Sequence, residues 1–131
     1  MKYAFLLLAL MFAGCGESST IVDGYETFTI DGETIQVAKE DFPDKMNWYD
    51  AMSACQNLGP GWRLPSKYEL EAMYEQLHLK GKGNFRTDRF YWSSSEDYAS
   101  NAWRFYFENG RASNLTTKTT TRQVRAVRTL P

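Results

Sequence analysis

Apolar positions follow several rhythms along the chain. Ala4 to Phe12 is one unbroken apolar run behind Lys2. It has the length of a secretory h-region, ~7–15 residues, and falls short of the ~20 needed to span a bilayer. Period-two alternation follows. Thr27-Phe28-Thr29-Ile30 and Thr34-Ile35-Gln36-Val37 flank Asp31-Gly32, which predicts a hairpin over residues 25–38 with Phe28 opposite Ile35. Residues 47–58 change to helical spacing. Asn47 is the N-cap, Asp50 sits in the first turn, and Gly59-Pro60 stops the helix. Ala51, Cys55 and Leu58 share its inner face, with Trp48 a turn earlier. A second helix starts at Ser66, which forms a Ser-x-x-Glu capping box with Glu69. Leu70, Met73, Tyr74 and Leu77 are its apolar stripe, and His78 reads as a charge at its C-terminal end.

Beyond the Gly81-Lys82-Gly83-Asn84 loop the alternation returns. Trp103, Phe105 and Phe107 interleave with Arg104, Tyr106 and Glu108 before Asn109-Gly110. This predicts a second hairpin over 102–115 with Arg111 opposite Glu108. Tyr91 and Trp92 read as a strand end ahead of the polar turn Ser93 to Tyr98. Thr116 to Thr121 reads as a loop, and Val124 to Arg128 as a closing strand. Strands, two helices, then strands predict an α+β domain whose helices are segregated from a mostly antiparallel sheet.

Composition narrows the picture only a little. The formal charge is −1, and removing residues 1–14, which carry Lys2 and no acid, makes it −2. Such a balance offers no electrostatic case for nucleic acid or a polybasic membrane patch. Cys15 and Cys55 are the only cysteines. The segment Phe12-Ala13-Gly14-Cys15 resembles the lipobox of bacterial lipoproteins, in which the Cys is lipidated and becomes the first mature residue. Phe12 stands where Leu is usual. The resemblance implies a signal peptide over 1–14, a lipidated Cys15 with a polar tether over 15–24, and a domain over 25–131. It also implies a cell-envelope location, with the outer membrane favoured in a Gram-negative cell because Gly16 is not the Asp that retains enteric lipoproteins in the inner membrane. Cys55 then lacks a disulfide partner and reads as a small core residue.

Gly61-Trp62-Arg63-Leu64-Pro65-Ser66 with Glu69-Leu70, then Tyr91-Trp92-Ser93-Ser94-Ser95-Glu96, then Val124-Arg125-Ala126-Val127-Arg128 together resemble the DUF1566 family. This is the C-terminal domain of the Legionella collagen-like adhesin, related to the Fibrobacter major paralogous domain. The resemblance covers about residues 45 to 129. It implies a C-type-lectin-like fold, with two helices flanking a small antiparallel sheet and the first and last strands adjacent. The adhesin's domain binds sulfated polysaccharides, so the resemblance implies binding at a bacterial surface. The animal lectins' Glu-Pro-Asn calcium tripeptide is absent here. The related formylglycine-generating oxidases use two active-site cysteines, which this chain does not supply.

Trp62, Leu64, Pro65 and Trp92 have packing roles as the favoured reading. Ser66 is a cap, and Arg63 pairs with Glu69 or Glu71. Ser93 to Ser95 satisfy local backbone groups. Glu96, Asp97 and Tyr98 are open to ligand contact. Arg104, Tyr106, Arg111 and Asn114 on the outward face of the second hairpin suit an anionic glycan or a protein, with Arg86 and Arg89 nearby. Arg125 and Arg128 read as structural. No catalytic constellation, metal set or cofactor motif is found. The expectation is a non-catalytic, lipid-anchored envelope module that binds glycan or another surface ligand. The alternative is an assembly lipoprotein that binds an envelope protein.

Overall fold

Asp31 and Gly32 both take positive φ, 51° and 79°, the conformation a two-residue hairpin turn demands. In the computed structural model, which describes residues 20–131, this turn joins β2 (Tyr25–Ile30) to β3 (Glu33–Val37). It sets Phe28 opposite Ile35 as expected. Both side chains are buried. The expected signal peptide, the expected lipidation at Cys15 and the start of the expected tether lie outside the described residues. Ile21–Val22, assigned to the tether by sequence, instead forms β1 and pairs with β2. The Thr27 hydroxyl fastens this segment by donating to the Thr20 carbonyl at 2.8 Å.

β3 pairs antiparallel with β8 (Val127–Thr129), and β8 with β4 (Trp62–Arg63). The sheet order is β1-β2-β3-β8-β4, which brings an early and the last strand together. A second sheet holds β5 (Phe90–Tyr98), β6 (Asn101–Tyr106) and β7 (Arg111–Thr117) in sequence order. The single small sheet expected is therefore two.

Helix α1 (Trp48–Gln56) begins where the Asn47 side chain accepts the Asp50 N–H at 2.9 Å. Trp48, Ala51 and Cys55 are buried. Leu58 corrects the sequence reading, being 49% exposed. The helix ends at Gln56, and a tight turn in which the Leu58 N–H donates to Cys55 O at 3.2 Å takes Leu58 off the helical path. Helix α2 (Lys67–Gln76) starts with the expected capping box. The Glu69 N–H donates to Ser66 Oγ at 3.1 Å, and the Ser66 N–H to Glu69 Oε1 at 2.8 Å. Arg63 adds a two-pronged bond to the same carboxylate, 2.7 Å on each prong. Leu70, Met73 and Leu77 are fully buried. Gln76 clamps α2 to β2 by accepting from Thr29 N–H and donating to Thr29 O. His78, expected as a helix-end charge, stacks on Tyr74 with centroids 5.6 Å apart and meets Phe85 and Phe107 edge-on.

The second hairpin differs from expectation in three ways. β6 stops at Tyr106, which pairs with Arg111, so the predicted Glu108–Arg111 pair does not form. Phe107 is the cause. It is fully buried and stacks on Phe85 at 4.2 Å, which draws it out of the ladder and lengthens the turn. Trp103 is only half-buried, because an irregularity between Ala102 and Arg104 breaks the alternation. The Lys67 ammonium sits 3.6 Å from its ring centroid. Finally, β7 runs to Thr117, and both Thr116 and Lys118 are buried, so the Thr-rich loop begins later than expected. The polar stretch from Ser93 is likewise part of β5 and not a turn. The closing strand is shorter than predicted, since only Val127–Thr129 joins a ladder. Val124 to Ala126 are nevertheless buried, and their carbonyls are used: Phe42 N–H donates to Val124 O and Ala38 N–H to Ala126 O.

One core lies between α2 and the two sheets, centred on Phe28, Met73, Phe105 and Phe107. The other lies beneath α1, around Trp48, Trp62 and Trp92. Buried indoles need acceptors: the Trp48 ring N–H donates to Ser93 O at 2.9 Å, and that of Trp92 to Met46 O at 2.8 Å. Arg125 joins the loops. It is 2% exposed, donates Nε to Asp41 Oδ1 at 2.6 Å, and donates its terminal nitrogens to Ala38 O, Gly83 O and Asn84 O. The Tyr91 hydroxyl donates to the other Asp41 oxygen at 2.6 Å.

Two stability effects follow from these contacts. Asp41→Asn leaves the buried Arg125 charge without its counter-charge and lowers unfolding free energy by about 3–5 kcal/mol, read by urea denaturation; a loss below 1 kcal/mol contradicts the arrangement. For Glu69, burial raises the carboxyl pKa. The Arg63 guanidinium and the Ser66 N–H outweigh it and hold the group below the usual carboxylate range. A lowered folded pKa gives stability that is present above the unfolded value and lost as pH falls through the folded one. Glu69→Gln therefore costs about 1–3 kcal/mol at pH 7, and the gap from wild type narrows in urea titrations as pH drops below about 4.

Candidate ligand-binding face

Residues paired directly across a ladder project to the same face. Phe90 pairs with Tyr106 and Trp92 with Arg104, while Arg104 pairs with Ser113 and Tyr106 with Arg111. One face of the three-stranded sheet thus carries Phe90, Trp92, Arg104, Tyr106 and Arg111, with Trp92 fully buried and the other four at least partly open. The C-terminal run adds to it. Gln123 lies parallel beside Tyr91, its N–H donating to Phe90 O and its carbonyl accepting from Trp92 N–H, both at 3.0 Å. That fixes Arg122 at the edge of the same face.

Phe90 is the centre of the arrangement. Tyr106 stacks on it with centroids 4.5 Å apart and planes 27° apart. The Arg104 guanidinium lies 3.9 Å from the Phe90 centroid and that of Arg122 lies 5.4 Å away. Among the described residues the salt bridges are Arg63–Glu69, Arg86–Asp88, Lys118–Glu96 and Arg125–Asp41, so neither Arg104 nor Arg122 has a carboxylate. The Nε atoms of both are buried without a hydrogen-bond acceptor. Burial, and next the positive charge of Arg104, lower the Arg122 pKa. A shallow pocket of about 360 Å³ adjoins the ring, lined by Lys45, Asp88, Arg89, Phe90, Thr121 and Arg122. Asp88 on its rim is committed to Arg86 at 2.7 Å, and Arg89 donates to the neutral Gln123 amide oxygen.

The residues singled out by sequence divide between two places. Arg104, Tyr106 and the exposed Arg111 share the face just described. Glu96, Asp97, Tyr98 and Asn114 gather at the far end of β5. There Glu96 accepts from the Lys118 ammonium at 2.6 Å, and Asp97 accepts from the Asn114 amide at 3.1 Å. Tyr98 is 76% exposed. Lys118 is itself 4% exposed and sits 4.2 Å from the Trp48 centroid, with its third contact the Ala99 carbonyl. Glu96 therefore serves a buried cation and is not a free ligand group.

The serines satisfy backbone groups, but not only local ones as expected: Ser93 Oγ accepts the Ser95 N–H and donates to Trp103 O, and Ser95 Oγ accepts the distant Lys67 N–H. Trp62, Leu64, Pro65 and Trp92 are buried, as their packing roles require. Arg128 donates to Gln36 Oε1 and lies over Trp62. Desolvation pushes the Cys55 thiol up to about 12, so the group is an unionised core side chain at neutral pH. Phe90, Arg122 and Lys118 were not singled out by sequence. The one available signal for Arg122 was its position just before the apolar run that closes the domain.

The family described as the Lcl C-terminal domain matches residues 19–128. The chain belongs to that family. The match takes in the leading hairpin as well as the motifs that first suggested it. No curated protein matches the sequence significantly. Among solved structures, the crystal structure of botrocetin, a C-type-lectin-like protein, is similar with a TM-score of 0.53 at 16% identity. The similarity covers 86% of this chain and 100% of that one. It is a likeness of fold: α+β, with two helices and small antiparallel sheets.

In this Lcl C-terminal domain, Glu96→Ala is expected to cost about 1.5–3 kcal/mol in urea unfolding, the range for a hydrogen bond to a charged group, although Glu96 is more than half exposed. The ammonium it leaves behind is buried. A loss under 0.5 kcal/mol, normal for an exposed carboxylate, removes the structural role assigned to the pair.

Proposed function

We propose that this Lcl C-terminal domain is a non-catalytic, lipid-anchored module of the cell envelope that binds an anionic glycan or another negatively charged surface ligand on its Arg104–Arg122 face. The observation supporting this reading is the pair of guanidiniums held over Phe90 with no carboxylate of their own. Guanidiniums pair with anions through charge-assisted hydrogen bonds, and the half-buried aromatic pair beside them, Phe90 and Tyr106, offers flat area for a sugar or an apolar group. The apolar run before Ala13-Gly14-Cys15 supports export and anchoring, with the outer membrane the expected site in a Gram-negative cell. An assembly role through a partner protein draws on a different observation, the exposure of Tyr98 and of Leu115, which is 81% exposed.

A glycan array probed with residues 17–131 tests the main reading. Binding confined to anionic glycans, weakened by added salt and lost in Arg104→Ala/Arg122→Ala, is the expected result. No binding across sulfated, phosphorylated, carboxylated and neutral glycans overturns it, and a stoichiometric protein captured from solubilised envelopes through Tyr98 and Leu115 favours the assembly role.

A further inference from the structure

We infer that the Arg104–Arg122 face is a site for a dianion, and specifically for a phosphomonoester, in preference to singly charged sulfate esters and carboxylates. The inference rests on the binding reading above and specifies its chemistry.

Two guanidiniums approach one ring, at 3.9 and 5.4 Å from its centroid. The pocket beside them is lined by two more cations, Lys45 and Arg89. The only acid on its rim, Asp88, is held by Arg86 through two hydrogen bonds of 2.9 and 2.7 Å. Arg89 hydrogen-bonds a neutral amide oxygen, at 3.3 Å, and shares the field of the same Asp88. Positive charge is thus gathered here in excess of acid. Burial first, and then the positive charge of Arg104, lower the Arg122 pKa, in keeping with two cations set close around one ring.

A ligand with one negative charge neutralises one guanidinium and leaves the other unpaired at a half-buried position. A phosphomonoester carries about −1.5 to −2 at pH 7 and presents three strong acceptor oxygens, enough for the terminal nitrogens of both arginines at once. Phe90 lines the pocket and Tyr106 stacks on it, which adds apolar surface that suits the carbon skeleton bearing the phosphate. Such a group reaches a cell surface on a sugar or on a lipid headgroup, and the chemistry recognised is the same.

Phenyl phosphate and phenyl sulfate separate the charge effect from ring contact, since both carry the same ring. Isothermal titration of the full chain in mild detergent is expected to show phenyl phosphate binding roughly tenfold tighter than phenyl sulfate at pH 7.5. That preference should collapse at pH 5, where the phosphate has lost its second charge (pKa about 6). Phenyl sulfate keeps one charge throughout and reports any pH effect on the protein itself. Arg122→Gln and Arg104→Gln each lose the preference, and Arg122→Lys recovers part of it. Tighter binding of glucose 6-phosphate assigns the phosphate to a sugar, and tighter binding of glycerol 3-phosphate assigns it to a lipid headgroup.

Equal binding of phenyl phosphate and phenyl sulfate, a preference that survives at pH 5, or an unaltered preference in Arg122→Gln overturns the inference. The wild-type comparison does not depend on any variant folding. If anionic glycans bind through Arg104 and Arg122 with no preference for phosphate, this inference fails and the wider binding reading stands. If no anion of any kind binds, both fail.

Discussion

A guanidinium buried to 2% exposure has to be compensated where it lies, and the rest of the domain is arranged around that demand. Arg125 takes its charge partner from Asp41 and its remaining acceptors from three backbone carbonyls, Ala38, Gly83 and Asn84. Those carbonyls belong to segments that have no ladder of their own. Fixing them to one planar group sets the path of the chain after β3 and of the chain before β5. It also locks the C-terminal run between them, where Phe42 and Ala38 reach its carbonyls. Arg122 sits on that same run, so the group that anchors the loops also positions a half-buried cation.

What the sequence made readable was chemistry that closes over a few residues. The Asp31-Gly32 turn, the Asn47 cap, the Ser66–Glu69 box and the Arg63–Glu69 pair all have partners within six positions, and each forms as expected. The errors have a common physical source in partners far away along the chain. Phe107 leaves its strand because Phe85 and Tyr91 draw it inward. Lys118, in a stretch that reads as a polar loop, is buried because Trp48 and Glu96 come together around its ammonium. Leu58 has the helical spacing of a core residue and is exposed because the helix has already ended.

The same limit explains the divided candidate site. Glu96, Asp97, Tyr98, Arg104, Tyr106, Arg111 and Asn114 have the residue types of a polar binding surface, and sequence offers no means of telling which of them are already engaged. Glu96 and Asp97 are adjacent on β5 and turn to different partners, Lys118 and Asn114, as strand geometry requires of neighbours. Arg104 and Tyr106 are two apart and share a face. Period two was enough to place that pair. It was not enough to reveal Phe90, which reaches them from a neighbouring strand, or Arg122, which reaches them from the chain end.

The arginines separate by what they already hold. Arg63, Arg86 and Arg125 each have a carboxylate, and Arg128 has the Gln36 amide oxygen and the Trp62 ring. Arg104 and Arg122 have a shared aromatic ring, no carboxylate, and Nε atoms without acceptors. A cation over a ring gains a modest attraction of about 0.5–2 kcal/mol, which orients the guanidinium and leaves its charge uncompensated. Holding one on a strand and the other on the bridged C-terminal run, both against Phe90, means that little side-chain freedom remains to be lost when an anion arrives. On the lipid-anchored domain proposed above, contacts that are individually weak add through many copies on one surface. The fold thus uses arginine in two ways: compensated where it fastens loops, and uncompensated where the sheet meets solvent.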